Sequence, residues 1–138
     1  PIRQEDISGS IKGKSIIYNH LKEILENSKK EVVICTSINE IQSKARFFNQ
    51  LFQRLRDNNI KLTVGLSGED KDIKKINTKF KIKAKQLNID ARFYISDRKE
   101  VLFMISKGDQ PDEEIAIWLN TPFFANSLCF MFNQALKE

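Results

Sequence analysis

The chain has 138 residues, 41% hydrophobic and 30% charged, with a formal net charge of +5. That is the size of one domain, able to bury roughly 68% of its unfolded surface without a metal or disulfide, and 5 Gly with 3 Pro exclude a collagenous or disordered chain. No apolar run approaches the ~18 residues of a membrane span, and residues 1–6 lack the apolar stretch of a signal peptide. These features predict a cytoplasmic protein without membrane contact. Because residue 1 is not Met, the 138 residues read as a single domain cut from a longer protein.

Residues 14–29 read as an amphipathic helix, with Ile17, Leu21, Ile24 and Ser28 on one face. Residues 31–36 are apolar and β-branched, the pattern of a buried strand. Ser37 or Asn39 can cap a second helix, in which Ile41, Ala45, Phe48, Phe52 and Leu55 follow helical spacing. Residues 60–66 predict a second strand, broken by Ser67-Gly68. A third helix is expected over 70–87, its stripe formed by Ile73, Ile76, Phe80, Ala84 and Leu87. Residues 91–96 and 101–106 suit a hairpin around a tight turn at 97–100. A polar loop at 107–112 leads to a fifth strand at 114–119. Thr121 and Pro122 then open a last helix that runs to about Leu136. The order α-β-α-β-α-β-β-β-α predicts an α/β fold: a mixed, mostly parallel sheet with helices on both faces.

Several constellations invite a chemical reading. Residues 8–15, Ser-Gly-Ser-Ile-Lys-Gly-Lys-Ser, nearly match a phosphate loop. Ser8 stands where the first Gly belongs and no apolar strand precedes it, so the segment reads as a helix lead-in. His20 is the only histidine, which suits a half-buried structural role better than catalysis or metal binding. Cys35 and Cys129 lie in apolar runs without ligand spacing, so both read as buried and reduced. No cofactor or metal is expected. Residues 71–85 hold seven lysines against one acid, +6, which leaves −1 for the rest of a +5 chain. Lys74, Lys75, Lys79, Lys81, Lys83 and Lys85 would then line one helix face, a solvated surface or a candidate polyanion-binding set.

Ligands of parallel sheets sit beyond the carboxyl ends of the strands. The candidates there are Thr36, Ser37, Ser67, Asp97 and Asn120, which suit a sugar or other hydroxyl-rich ligand, although helix caps and turns use the same residues. Trp118 is expected close to that rim. The last helix carries Phe123, Phe124, Leu128, Cys129, Phe130, Met131 and Phe132, broader than one stripe. Such breadth predicts burial on two sides, within the domain or at a subunit interface.

The opening Ile11-Lys12-Gly13-Lys14-Ser15-Ile16-Ile17, then Glu31-Val32-Val33-Ile34-Cys35-Thr36-Ser37, then Ala116-Ile117-Trp118-Leu119-Asn120 before a Phe-rich helix, resemble the effector domain of TrmB-type archaeal transcriptional regulators. The resemblance implies a phospholipase D-like fold that binds small effectors beside a separate DNA-binding domain. Active phospholipase D relatives use His-x-Lys-x-x-x-x-Asp, and the matching stretch here is residues 90–97. Arg92 takes the Lys position and Asp97 the Asp position, but Asp90 stands where the nucleophilic His belongs. A carboxylate there repels a phosphodiester. The resemblance and the degenerate motif therefore imply a non-enzymatic sensor of a small polar effector, part of a transcriptional regulator that contacts DNA only through another domain, and the broad last helix adds the expectation of a homodimer. A sensor domain of a signalling histidine kinase is the alternative; a phosphodiester hydrolase and a nucleic-acid-binding module are the rivals from other classes.

Overall fold

A computed structural model of the chain describes residues 7–108 and 110–137. Residues 1–6, read above as no signal peptide, and Asp109 of the polar loop lie outside the described residues. The chain opens on a strand where a helix lead-in was expected: Ser8–Lys12 (β1). Gly13, at φ 101°, turns it into helix Lys14–Glu26 (α1). Strand Glu31–Ser37 (β2) follows. The predicted second helix is two, Ile38–Ser43 (α2) and Ala45–Asp57 (α3), parted at Lys44, whose ψ of 36° leaves the helical range. Ser37 caps α2, its Oγ accepting from Glu40 N at 3.1 Å. Strand Lys61–Ser67 (β3) leads to helix Asp70–Phe80 (α4). After the two-residue strand Lys85–Gln86 (β4), Phe93–Ser96 (β5) and Glu100–Met104 (β6) form the predicted hairpin. A 3₁₀ turn at Pro111–Glu113 precedes strand Ile115–Asn120 (β7) and helix Pro122–Lys137 (α5).

The third helix stops seven residues short of the expected Leu87. Lys81 adopts a left-handed backbone, φ 56°. Arg56 Nη1 donates to the carbonyls of Phe80 and Lys81, both at 3.1 Å. Asn77 brackets the chain beyond, donating to Ala84 O at 3.0 Å and accepting from Ala84 N at 2.7 Å. Ile82 and Ala84 then alternate inward as extended chain. The lysines are divided accordingly: Lys74, Lys75 and Lys79 lie on α4, Lys81 caps it, and Lys83 and Lys85 lie beyond it. A left-handed conformation costs a side chain about 1–2 kcal/mol, while glycine's freedom in the unfolded chain costs about 0.5–1 kcal/mol. Lys81→Gly should therefore stabilise the protein by the difference, about 0.5 kcal/mol, raising the urea midpoint. A lower midpoint would mean the lysine side chain outweighs its backbone strain.

The seven strands form one sheet in the order β1-β7-β6-β5-β2-β3-β4. The prediction of a mostly parallel sheet is corrected here. Only β2–β3 and β3–β4 pair parallel, while β5 joins β2 antiparallel and β5, β6, β7 and β1 continue as an antiparallel run. The helical crossover from β2 to β3 imposes parallel pairing and the tight turn between β5 and β6 imposes reversal, while the pairings β2–β5 and β1–β7 join strands distant in sequence, whose direction no local signal sets.

Helices do cover both faces. On one, α1, α3 and α4 bury Leu25, Phe48, Phe52, Ile76 and Phe80 against Ile34, Val64, Tyr94 and Leu102. On the other, α5 packs Ala125, Cys129 and Phe132 over Val33, Cys35, Phe93 and Val101. Gly65 permits that approach, since a Cβ there would lie 2.6 Å from Phe132 Cζ. The breadth of α5 does not come from central burial. Phe123, Phe130 and Met131, at 84%, 64% and 57% exposure, form an uncovered outer stripe. Among the described residues, no helix is long and apolar enough to cross a membrane.

Candidate functional site

Strand direction decides which polar residues meet. β2 and β3 run one way, β5 and β7 the other. Thr36, Ser37 and Ser67 therefore lie at one edge of the sheet, and Asp97 and Asn120 at the opposite edge. The structure does not gather these five residues into one pocket. Thr36 is buried and accepts from the Tyr94 hydroxyl at 3.4 Å. Ser37 is engaged as the α2 cap. Asn120 N donates to Ile7 O at 2.8 Å. Trp118, expected at the rim, is buried mid-strand opposite Leu102, its Nε1 donating to Glu100 at 2.9 Å.

Asp97 is a clamp. In the left-handed turn between β5 and β6 its Oδ1 accepts from the backbone N–H groups of Lys29, Lys30 and Glu31 at 3.1, 2.7 and 3.0 Å, and its Oδ2 from Lys29 at 3.0 Å. Partial burial raises its pKa, but the three N–H donors outweigh that and hold the carboxyl below its ordinary value. The aspartate thus locks the hairpin onto the start of β2.

The edge that carries Thr36 and Ser37 holds the concentrated chemistry, and most of it was missed in the sequence. Arg92, just before β5, donates from Nη2 to Glu114 Oε1 at 2.8 Å and to Ser106 O at 3.3 Å. Its Nη1 lies 3.8 Å from Glu40 Oε2, which also holds Lys44 Nζ at 2.9 Å. Burial opposes the charge on Arg92, yet the hydrogen bond and charge of Glu114, then the charge of Glu40, more than offset it and raise its pKa. Burial likewise pushes the Tyr94 phenol well above its ordinary value. Lys14, Tyr18, Glu40, Lys44, Arg92, Tyr94 and Glu114 surround a cavity of about 20 Å³, room for one water. The charge of the guanidinium is compensated within the chain, by Glu114 in direct hydrogen bond and by Glu40 at ion-pair distance.

Above this network, Lys14, Ser15, Tyr18, Ser43, Lys44, Arg46 and Phe47 line a surface cavity of about 370 Å³. A separate groove of about 400 Å³ runs between β3 and α5, with Lys61, Lys83, Lys85 and Lys137 along it. Lys74 is 3.4 Å from Asp70, and Lys79 sits over the Phe80 ring. His20 is half-buried on α1. Cys35 and Cys129 are free and buried on the α5 face. Burial pushes the Cys35 thiol up to about 12 and raises that of Cys129, which removes thiolate reactivity near neutrality. The described residues contain no group of three or more His, Cys, Asp or Glu placed to hold a metal.

The family described as transcriptional regulator TrmB, EBD N-terminal subdomain, matches residues 10–136. No match was found among curated proteins. The fold is similar to that of TrmBL2, an archaeal chromatin protein, with TM-score 0.70 and 16% identity over 94% of this chain and 52% of that one. It is also similar to NucT from Helicobacter pylori, with TM-score 0.73 and 14% identity over 94% and 95% of the two chains. Phosphatidylserine synthase from Haemophilus influenzae gives TM-score 0.64 and 11% identity over 88% and 36%. At these identities the likeness is one of fold alone. The chain spans about half the length of TrmBL2.

Proposed function

We propose, from the premise that the chain belongs to the N-terminal subdomain family of TrmB effector-binding domains, that it is a non-enzymatic unit sensing a small polar effector inside the cytoplasm. On this reading it pairs with a second copy of itself and leaves DNA contact to a separate domain of its regulator. The carrying observation is the pairing of Arg92 with carboxylates of its own chain: Nη2 is hydrogen-bonded to Glu114 at 2.8 Å and Nη1 has Glu40 3.8 Å away, so its charge is already compensated where a phosphodiesterase would turn it toward substrate. The fold likeness to phosphatidylserine synthase supports a phospholipase D-like ancestry, while Asp90 at the nucleophile position argues against retained activity. Thr36, Ser37 and Ser67 remain candidates at the effector end; Asp97 and Asn120 belong to the other.

The exposed stripe Phe123, Phe130 and Met131 recurs at helical spacing on one side of α5. A second α5 crossing it antiparallel buries the same residues twice, which suits closed two-fold pairing. Sedimentation at tens of micromolar should give a dimer, well above a ~1 μM dissociation constant, and Phe130→Glu should give a folded monomer. A wild-type monomer at that concentration refutes the pairing. A panel of neutral sugars screened by thermal melting tests the sensing, since ligand at ~100 times its dissociation constant adds about 2.7 kcal/mol. Turnover of a generic phosphodiester by the chain would refute the non-enzymatic reading.

A further inference from the structure

We infer that the surface cavity around Lys14, Lys44 and Arg46 is a binding site for a phosphomonoester-bearing small molecule. The inference rests on the sensing role above and names its ligand class. Three cationic side chains line the cavity together with the hydroxyls of Ser15 and Ser43 and the rings of Tyr18 and Phe47. Tyr18 and Phe47 meet edge to face, centroids 5.7 Å apart, and form an apolar wall. No carboxylate stands in the first turn of α1 or α3, the two helices that open onto it. The cavity therefore offers positive charge, hydrogen-bond donors and one hydrophobic side. A phosphomonoester carries about −1.5 to −2 near neutrality, against −1 for a diester, so it gains more from three cations. A hydroxyl-rich body attached to it can lie against the Tyr18–Phe47 wall.

The site has a built-in connection to the buried network. Lys44 lines the cavity while its Nζ holds Glu40 at 2.9 Å, and Glu40 has Arg92 3.8 Å away as a second cation. A bound dianion competes with Glu40 for Lys44, and Arg92 keeps Glu40 compensated when it does. Occupancy is thereby felt at the base of α2 and at Arg92, beneath the surface.

Backbone amide shifts of the labelled chain decide the matter. Titration with glucose 6-phosphate and with inorganic phosphate should move the amides of Ser15 and residues 43–46 along saturable curves. The double variant Lys14→Glu, Arg46→Glu changes two exposed side chains, so its unliganded spectrum should stay folded elsewhere. Its affinity for glucose 6-phosphate should fall at least tenfold. Absent saturable shifts, or an unchanged affinity in the folded variant, would overturn the inference. A dinucleotide phosphodiester that binds as tightly as the monoester would overturn it in favour of a nucleic-acid backbone. Saturable shifts with glucose alone, and none with phosphate, would sink this inference while leaving the sensing role intact.

Discussion

Arg92→Met should cost about 3 kcal/mol, some 10 °C in melting temperature for a domain of this size. The arginine side chain is 15% exposed and Glu114 only 9%. Removing the cation leaves a carboxylate that water barely reaches, and an uncompensated buried charge is far costlier than the pair it came from. Glu40 suffers less, because Lys44 stays at 2.9 Å. The double variant Arg92→Met, Glu114→Gln should recover at least half the loss, since the stranded charge is gone. Thermal melting of the three proteins checks this. Equal melting of single and double variants would mean that packing of the guanidinium, not charge, sets the cost.

Asp97→Ala should cost about 1.5–3 kcal/mol, the range for hydrogen bonds to a charged group, and Asp97→Asn about half as much because Oδ1 keeps an acceptor in place. The wild-type carboxyl lies below its ordinary pKa. Its stabilising contribution is therefore complete above the unfolded-state value near pH 4 and disappears as pH falls through the depressed folded value. Urea midpoints measured from pH 7 down to pH 2 should decline for the wild type below about pH 4. The Asn variant should decline less over that interval, having no proton to take up at residue 97. Parallel curves would assign the acid sensitivity to other carboxylates.

What could be read from the sequence was whatever is coded locally. The paired runs at residues 31–36 and 60–66, the helical character of the segment between them (though not its break at Lys44) and the tight turn at 97–100 all show through period and turn chemistry. β1 did not, because Ser8-Gly9-Ser10 has low strand propensity and the strand exists only through its partner β7. The overlong third helix arises because Ala84 and Leu87 continue the helical spacing of Ile76 and Phe80, while the inward alternation of Ile82 and Ala84 that marks extended chain is only two residues long. Asn77, reaching seven residues ahead to Ala84, and Arg56, holding the carbonyls of Phe80 and Lys81, end the helix through contacts that the local pattern does not show. Arg92 is marked by its motif position, whereas Glu114 reads only as a strand start and Glu40 carries no signal of its own. Nothing along the chain announces partners separated by dozens of residues. Placing Asp97 and Asn120 beside Thr36 requires the strands that end at Ser96 and Asn120 to run parallel to β2, and both run antiparallel to it.

The pairing of β1 with β7 has a kinetic consequence. Residues 8–12 find their partners at 115–119, so nearly the whole chain must be ordered before that seam can close. The entropy of closing so long a loop must be met before any contact repays it, and non-local strand pairing is slow for that reason. The β2–α3–β3 unit draws its contacts from neighbours in sequence and can assemble early. β1, an edge strand with hydrogen-bonded partners on one side only, should arrive last in refolding. It should also open before the centre does, so that the amide of Ile11 exchanges with solvent faster than that of Ile34 in the same native protein.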